Sequence, residues 1–108
     1  MSAFDLRGPG DLRDPGDLRD PGDLRDTGAR YEMDEQGQTS WADYRRAGDR
    51  LYIDHVESPA ALRGTGAAGR LMSALSADAR SKSLRLTPIC AYAAAWLRRS
   101  KEFGDLVG

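Results

Sequence analysis

Cysteine and histidine are almost absent from this chain of 108 residues, which holds one of each, Cys90 and His55. A single cysteine cannot form a disulfide within the chain, and it cannot build a multi-cysteine metal site. Large aromatic residues are also scarce, with two Trp and two Phe. We therefore expect no metal site, and one small domain whose stability comes from packing alone.

Long apolar segments are missing as well. No stretch approaches the roughly 20 apolar residues that span a bilayer, and residues 1–5 lack the basic start and apolar stretch of a secretion signal. We expect a cytoplasmic protein. Neither a membrane nor a nucleic acid is expected among its partners.

A tandem hexapeptide dominates residues 1–28. Four nearly identical copies begin with Asp-Leu-Arg, at positions 5, 11, 17 and 23. Proline in most copies breaks any helix, and leucine is the only large apolar residue in each copy. Such a segment buries too little surface to offset its ordering entropy. We predict a disordered tail over 1–28, with a protein-binding arm as the alternative, and a folded domain over 29–108.

The formal charge of −1 conceals two halves of opposite sign. Residues 31–59 are mainly acidic, whereas residues 60–101 carry many Arg and Lys side chains and a single acid, Asp78. A basic segment of this kind is typical of a polyanion-binding surface, but a solvated face gives the same pattern. Charge alone leaves both interpretations open.

Apolar periodicity predicts a folded domain after the repeats. Alternating side chains and turn signals indicate three short strands between residues 31 and 56. Simple alternation places Leu51, Ile53 and His55 on one face of the third strand and Val56 on the other.

A helix, a strand and a second helix are predicted to follow. The first helix has an apolar face at positions i, i+3, i+4, i+7 and i+11, formed by Ala68, Leu71, Met72, Leu75 and Ala79. A strand is expected over 84–87 and a helix over 91–99. The predicted fold class is α/β (α+β), a small mixed sheet in the order β-β-β-α-β-α, with a right-handed crossover between its parallel strands.

A glycine-rich loop, Arg63-Gly64-Thr65-Gly66-Ala67-Ala68-Gly69, joins the third strand to the first helix. Its backbone amides are the unpaired donors of a helix amino terminus, and glycine lets an anion approach them closely. The loop matches neither the Walker motif nor the dinucleotide-binding fingerprint. It indicates a phosphate-binding loop, with a plain tight connection as the alternative.

The loop resembles a known family. Arg63-x-x-Gly66-x-Ala68 is similar to the Arg/Gln-x-x-Gly-x-Gly/Ala loop of the GNAT superfamily of N-acyltransferases. Matching blocks recur across residues 30–107, such as 51–57 and 87–90, and are similar to the small YjdJ-type branch. The resemblance implies a GNAT-like domain that binds acetyl-CoA. The implied cofactor-binding residues are Val56, Glu57, Arg63, Gly64, Gly66, Ala67, Ala68, Gly69 and Arg70.

The resemblance also implies a catalytic pair and a reaction. His55 and Cys90 occupy the places of the histidine and cysteine proposed as catalytic in that branch. Histidine can draw a proton from an amine acceptor, and cysteine can accept an acyl group transiently or line the thioester site. The plain alternatives are a hydrogen-bonded histidine at a strand end and a small buried cysteine.

Three functions are therefore compatible with the sequence. The first is acetyl transfer from acetyl-CoA to an amine, either directly or through Cys90. The second is a non-catalytic module that binds CoA or another phosphorylated ligand, because acceptor-side residues such as Val56 and Ala91 depart from the family pattern. The third is an interaction protein that binds a partner through the Asp-Leu-Arg repeats.

Overall fold

The computed structural model describes residues 24–108, so residues 1–23 of the tail predicted over 1–28 lie outside the described residues. Five strands form one sheet in chain order: β1 Leu24–Asp26, β2 Arg30–Glu35, β3 Gln38–Ala47, β4 Arg50–Glu57 and β5 Arg85–Pro88. Two helices, α1 Ala67–Ser81 and α2 Ala91–Arg99, and two short 3-10 turns, Ala60–Leu62 and Gly104–Leu106, complete the described chain.

The sheet is mixed. Neighbouring strands from β1 to β4 are antiparallel, whereas β4 and β5 are parallel and are connected through α1. The predicted α/β class is confirmed, and the predicted order β-β-β-α-β-α is found from β2 onward. Among the described residues, β1 is an additional strand before that series.

β1 corrects the predicted boundary at residue 28. The prediction of disorder is wrong for Leu24–Asp26, because this segment pairs with β2 and each of its side chains finds a partner. Leu24 packs against the core, Arg25 forms an ion pair with Asp34, and Asp26 accepts a hydrogen bond from Tyr44. A single leucine suffices here because the folded domain supplies the remaining apolar surface.

A β-bulge lies in the centre of the sheet. His55 in β4 faces Asp43 in β3, but Ile53 faces Tyr44, so Asp54 is an extra residue with no opposite residue in the β3 register. Because side chains alternate along a strand, one extra residue reverses the faces beyond it. The prediction that His55 shares a face with Ile53 is therefore wrong. His55 lies on the opposite, solvent-facing side.

One face of the sheet carries the core. Helix α1 contacts all five strands, and α2 contacts β4, β5 and α1. Leu71, Met72, Leu75 and Ala79 of α1 are buried as the periodicity predicted, whereas Ala68, also predicted on this face, is only partly buried. The opposite face, here called the open face, presents polar and aromatic side chains.

No helix within residues 24–108 combines the length and the apolar character that a bilayer crossing requires.

Candidate functional site

A cavity of about 310 Å³ lies where β4 ends and α1 begins. Every predicted cofactor-binding residue except Arg70 contributes to its wall. The full lining consists of Val56, Glu57, Ser58, Leu62, Arg63, Gly64, Gly66, Ala67, Ala68, Gly69 and Tyr92. The cavity thus brings together predicted residues from two separate parts of the sequence, namely the end of a strand and the glycine-rich loop.

Two glycines give the loop its shape. Gly64 has a φ of 80° and Gly66 a φ of 87°, and both values lie in the left-handed region that favours glycine. Between them, the Thr65 hydroxyl donates a hydrogen bond of 2.6 Å to the Leu62 carbonyl, which ties the loop to the last residue of the preceding 3-10 turn. Gly66 is the N-cap of α1 and contributes no capping side chain.

The amides at the start of α1 are donors without helical partners. The first hydrogen bond of the helix runs from the Arg70 amide to the Gly66 carbonyl, at 3.0 Å. The amides of Ala67, Ala68 and Gly69 precede it, and all three residues line the cavity. No acidic residue stands in the first turn of α1 to neutralise the helix dipole. The cavity therefore offers an anion a cluster of amides with positive potential.

Strands β4 and β5 separate beside this cavity. Their pairing ends at Ile53 and Pro88, and the Ile53 carbonyl accepts hydrogen bonds from the amides of both Ile89 and Cys90. The last four residues of β4, 54–57, continue without a partner in β5 within the described chain. The end of this segment, at Val56 and Glu57, forms one wall of the cavity.

Glu57 links the cavity to the open face. Its Oε1 atom lies 2.9 Å from Nε2 of His55, and its Oε2 atom lies 3.5 Å from Nη2 of Arg63. The Arg63 side chain is 69% exposed and the His55 side chain is 55% exposed. A row of three ionisable groups thus runs from the glycine-rich loop to the open face, but His55 itself does not line the cavity.

Arg70 does not belong to the lining of the cavity. Its guanidinium donates two hydrogen bonds to the Glu35 carboxylate, at 2.9 and 2.7 Å, and one to the Thr65 carbonyl, at 2.9 Å. The bond to Glu35 raises the pKa of Arg70. Its amide is already used within the helix. Arg70 therefore lies beside Gly66 but does not contribute to the wall of the cavity.

The basic second half is partly neutralised in the same way. Lys82 lies 2.8 Å from Asp78, and Arg80 lies 2.8 Å from Asp105. Some of the basic side chains that suggested a polyanion partner therefore form ion pairs within the domain. Arg63 is the cation of this half that lines the cavity.

Cys90 and Tyr92 flank the beginning of α2. Cys90 is its N-cap and packs half-buried against the core, outside the cavity lining. Tyr92, which was not predicted from the sequence, contributes to the lining, and burial raises the pKa of its hydroxyl. A Cβ at Gly69 would lie 3.4 Å from Nε1 of Trp96 and 3.7 Å from the Tyr92 hydroxyl, so both side chains of α2 pack next to this glycine of α1. A glycine inside a helical pattern is the signal that indicates such packing.

Within residues 24–108, no three His, Cys, Asp or Glu side chains are grouped in a way that could hold a metal ion.

A mixed sheet with parallel strands that separate beside a glycine-rich helix start defines a GNAT-like fold. The family model described as GCN5-related N-acetyl-transferase matches residues 30–106. The chain belongs to this family. It is also similar in structure to a GCN5-like protein from Staphylococcus aureus solved by NMR, with a TM-score of 0.59 and 19% identity over 79% of this chain and 86% of the other. No curated protein matches the sequence.

Proposed function

We propose that this protein transfers an acetyl group from acetyl-CoA to an amine. The observation that carries the proposal is the cavity at the start of α1, where three helical amides and Arg63 surround one space beside the separated ends of β4 and β5. Membership of the family supports acetyl transfer as the class of reaction, and the amides of the cavity support a donor that carries phosphate groups.

The pyrophosphate of CoA would bind the amides of Ala67, Ala68 and Gly69. These donors precede the first helical hydrogen bond, and the helix dipole adds a favourable potential for negative charge. Arg63 is exposed at the rim, where its guanidinium would contact a phosphate. The pantetheine arm would then run along Val56 and Glu57, with its thioester near the backbone amide of one of them, which would polarise the carbonyl.

The acceptor amine would approach from the open face. His55 would take the proton as the amine nitrogen bonds to the acetyl carbon, and the carbon–sulfur bond would break to release CoA. Glu57 would hold the imidazole, because its carboxylate contacts Nε2 of His55 and Glu57 also forms part of the cavity wall. Its negative charge would also attract a cationic amine.

A second route would pass the acetyl group through the thiol of Cys90. A transient thioester at Cys90 would be attacked by the amine in a second step. Direct transfer is the better supported route, because Cys90 is half-buried and outside the cavity lining. Turnover of radiolabelled acetyl-CoA by Cys90→Ala separates the routes: retained turnover supports direct transfer, and its complete loss supports the two-step route.

The competing function is a module that binds CoA without catalysis. The position of His55 and Cys90 outside the cavity lining favours this candidate. Titration calorimetry with acetyl-CoA, followed by CoA release with polyamines, lysine peptides and small amines, tests both functions. Binding without release across all acceptors would favour the module. No binding of acetyl-CoA would contradict both functions.

A further inference from the structure

The last copy of the hexapeptide repeat is bound in the sheet as β1. Leu24 lies opposite Met33 of β2 and packs against the core. The Arg25 guanidinium donates hydrogen bonds to Asp34, at 2.7 and 3.1 Å, and to Glu32, at 3.1 Å. The first two residues of this strand are thus recognised by an apolar surface and by a pair of acids.

The third residue, Asp26, is recognised by a different set of groups. It accepts a hydrogen bond from the Tyr44 hydroxyl and lies 3.5 Å from Nζ of Lys82. Its Oδ1 atom also accepts a 2.9 Å hydrogen bond from the amide of Gly28, a residue with a φ of 94°. Burial acts to raise the pKa of Asp26, but these bonds outweigh it and the pKa is lowered.

The surface that receives Leu24–Asp26 is here called the repeat slot, and it consists of Glu32, Met33, Asp34, Tyr44 and Lys82. The side chains of β1 that contact the repeat slot all recur in the preceding copy of the repeat. Leu18, Arg19 and Asp20 repeat the strand, and Gly22 repeats the glycine at the left-handed position. The third and fourth copies therefore offer the repeat slot the same side chains.

We propose that the repeat slot binds the Leu18-Arg19-Asp20 segment of the same chain in exchange for Leu24–Asp26. The covalent link favours exchange within one chain, because it holds the third copy at a high effective concentration near the slot. Exchange lengthens the connection to β2 from residues 27–29 to residues 21–29. Closure entropy lowers the occupancy of the third copy by roughly fivefold for this change.

The fourth copy has one further advantage in the slot. The Thr27 amide donates a 2.9 Å hydrogen bond to the Arg30 carbonyl, and its hydroxyl accepts a hydrogen bond from the Arg30 amide. The third copy has Pro21 at the equivalent position, which has no amide proton. The fourth copy is therefore the main occupant and the third copy the minor one, so the strand slips in steps of six residues.

Disulfide trapping in the full chain tests the exchange. Arg25 lies directly opposite Glu32, a position from which paired cysteines can reach each other. Arg19→Cys combined with Glu32→Cys, in a Cys90→Ala background, reports the third copy in the slot. Pro21→Cys with Glu32→Cys is the matched control, because position 21 is closer along the chain but falls outside the strand.

We expect the 19–32 disulfide to form faster than the 21–32 disulfide, although random collision favours the shorter loop. Leu24→Ser with Asp26→Ser, which removes two anchors of the fourth copy, should speed the 19–32 disulfide by about fivefold or more. Equal or slower formation of the 19–32 disulfide in the otherwise unchanged chain would overturn the proposal, whether or not the serine variant folds. Disulfides between two chains would instead assign the slot to a second copy and overturn exchange within one chain.

Discussion

Ala68 offers a test in which stability and ligand binding should change in opposite directions. Ala68 lies in the first turn of α1 and lines the cavity. In Ala68→Asp, the new carboxylate meets the positive end of the helix dipole, which stabilises the fold by about 0.3–1 kcal/mol. The same charge would repel a bound pyrophosphate.

The size of that repulsion follows from Coulomb's law. At a separation of about 5 Å, each pair of negative charges costs about 1–3 kcal/mol, depending on the local dielectric. For two phosphate charges, even the lower value weakens binding by more than about tenfold. Because the site is exposed to solvent, the effect should shrink at high ionic strength.

Titration calorimetry with acetyl-CoA and denaturant unfolding measure the two effects. Ala68→Asn is the matched control, since asparagine has nearly the same shape as aspartate and no charge. We expect Ala68→Asp to bind acetyl-CoA more weakly than Ala68→Asn and to unfold at a higher denaturant concentration. Equal affinities of the two variants at low salt would refute the placement of phosphate at the start of α1.

Three further predictions follow from the site and the sheet. His55→Ala should lower acetyl transfer and leave acetyl-CoA affinity unchanged; a turnover equal to that of the unaltered chain would remove His55 from the mechanism. Gly66→Ala and Gly48→Ala should each lose about 1 kcal/mol of stability, because both positions have a left-handed φ. Only Gly66→Ala should also weaken acetyl-CoA binding, and equal affinities of the two variants would show that the shape of the loop does not matter for binding. Asp26→Asn should destabilise the fold at pH 7, as measured by denaturant unfolding. This loss of stability should shrink below about pH 4, the pKa of an aspartate in the unfolded chain, because the native carboxylate of Asp26 then becomes protonated. A loss that stays constant with pH would contradict a charged role for Asp26.

The local elements could be predicted because each has a periodic signal in the sequence. The helix at Ala91–Arg99 was predicted with the bounds that the structure has, and the apolar face of α1 was identified from its spacing. The face of His55 could not be predicted, because a bulge depends on how β3 and β4 pair and leaves no trace in alternation. β1 was missed for a similar reason, since its single leucine is buried only by surface that distant residues provide.

The candidate site was predictable to the extent that it is contiguous in the sequence. The residues from Arg63 to Gly69 that line the cavity belong to one loop, whose glycines and position before a helix are visible in the sequence. Tyr92 comes from another helix and reaches the cavity through the packing of α2 on α1. Arg70 lies outside the lining because its amide is used within α1 and its side chain bonds to Glu35, on a strand far away in the sequence.

The ion pair between Arg70 and Glu35 has a consequence for how fast a ligand can bind. The Arg70 guanidinium joins the Thr65 carbonyl inside the loop to the end of β2, so the loop is braced against the sheet before any ligand arrives. A braced loop loses little conformational freedom on binding, and association need not wait for the chain to rearrange. Arg70, which does not line the cavity, would thus hold the amides that do line it in the conformation that binds the ligand.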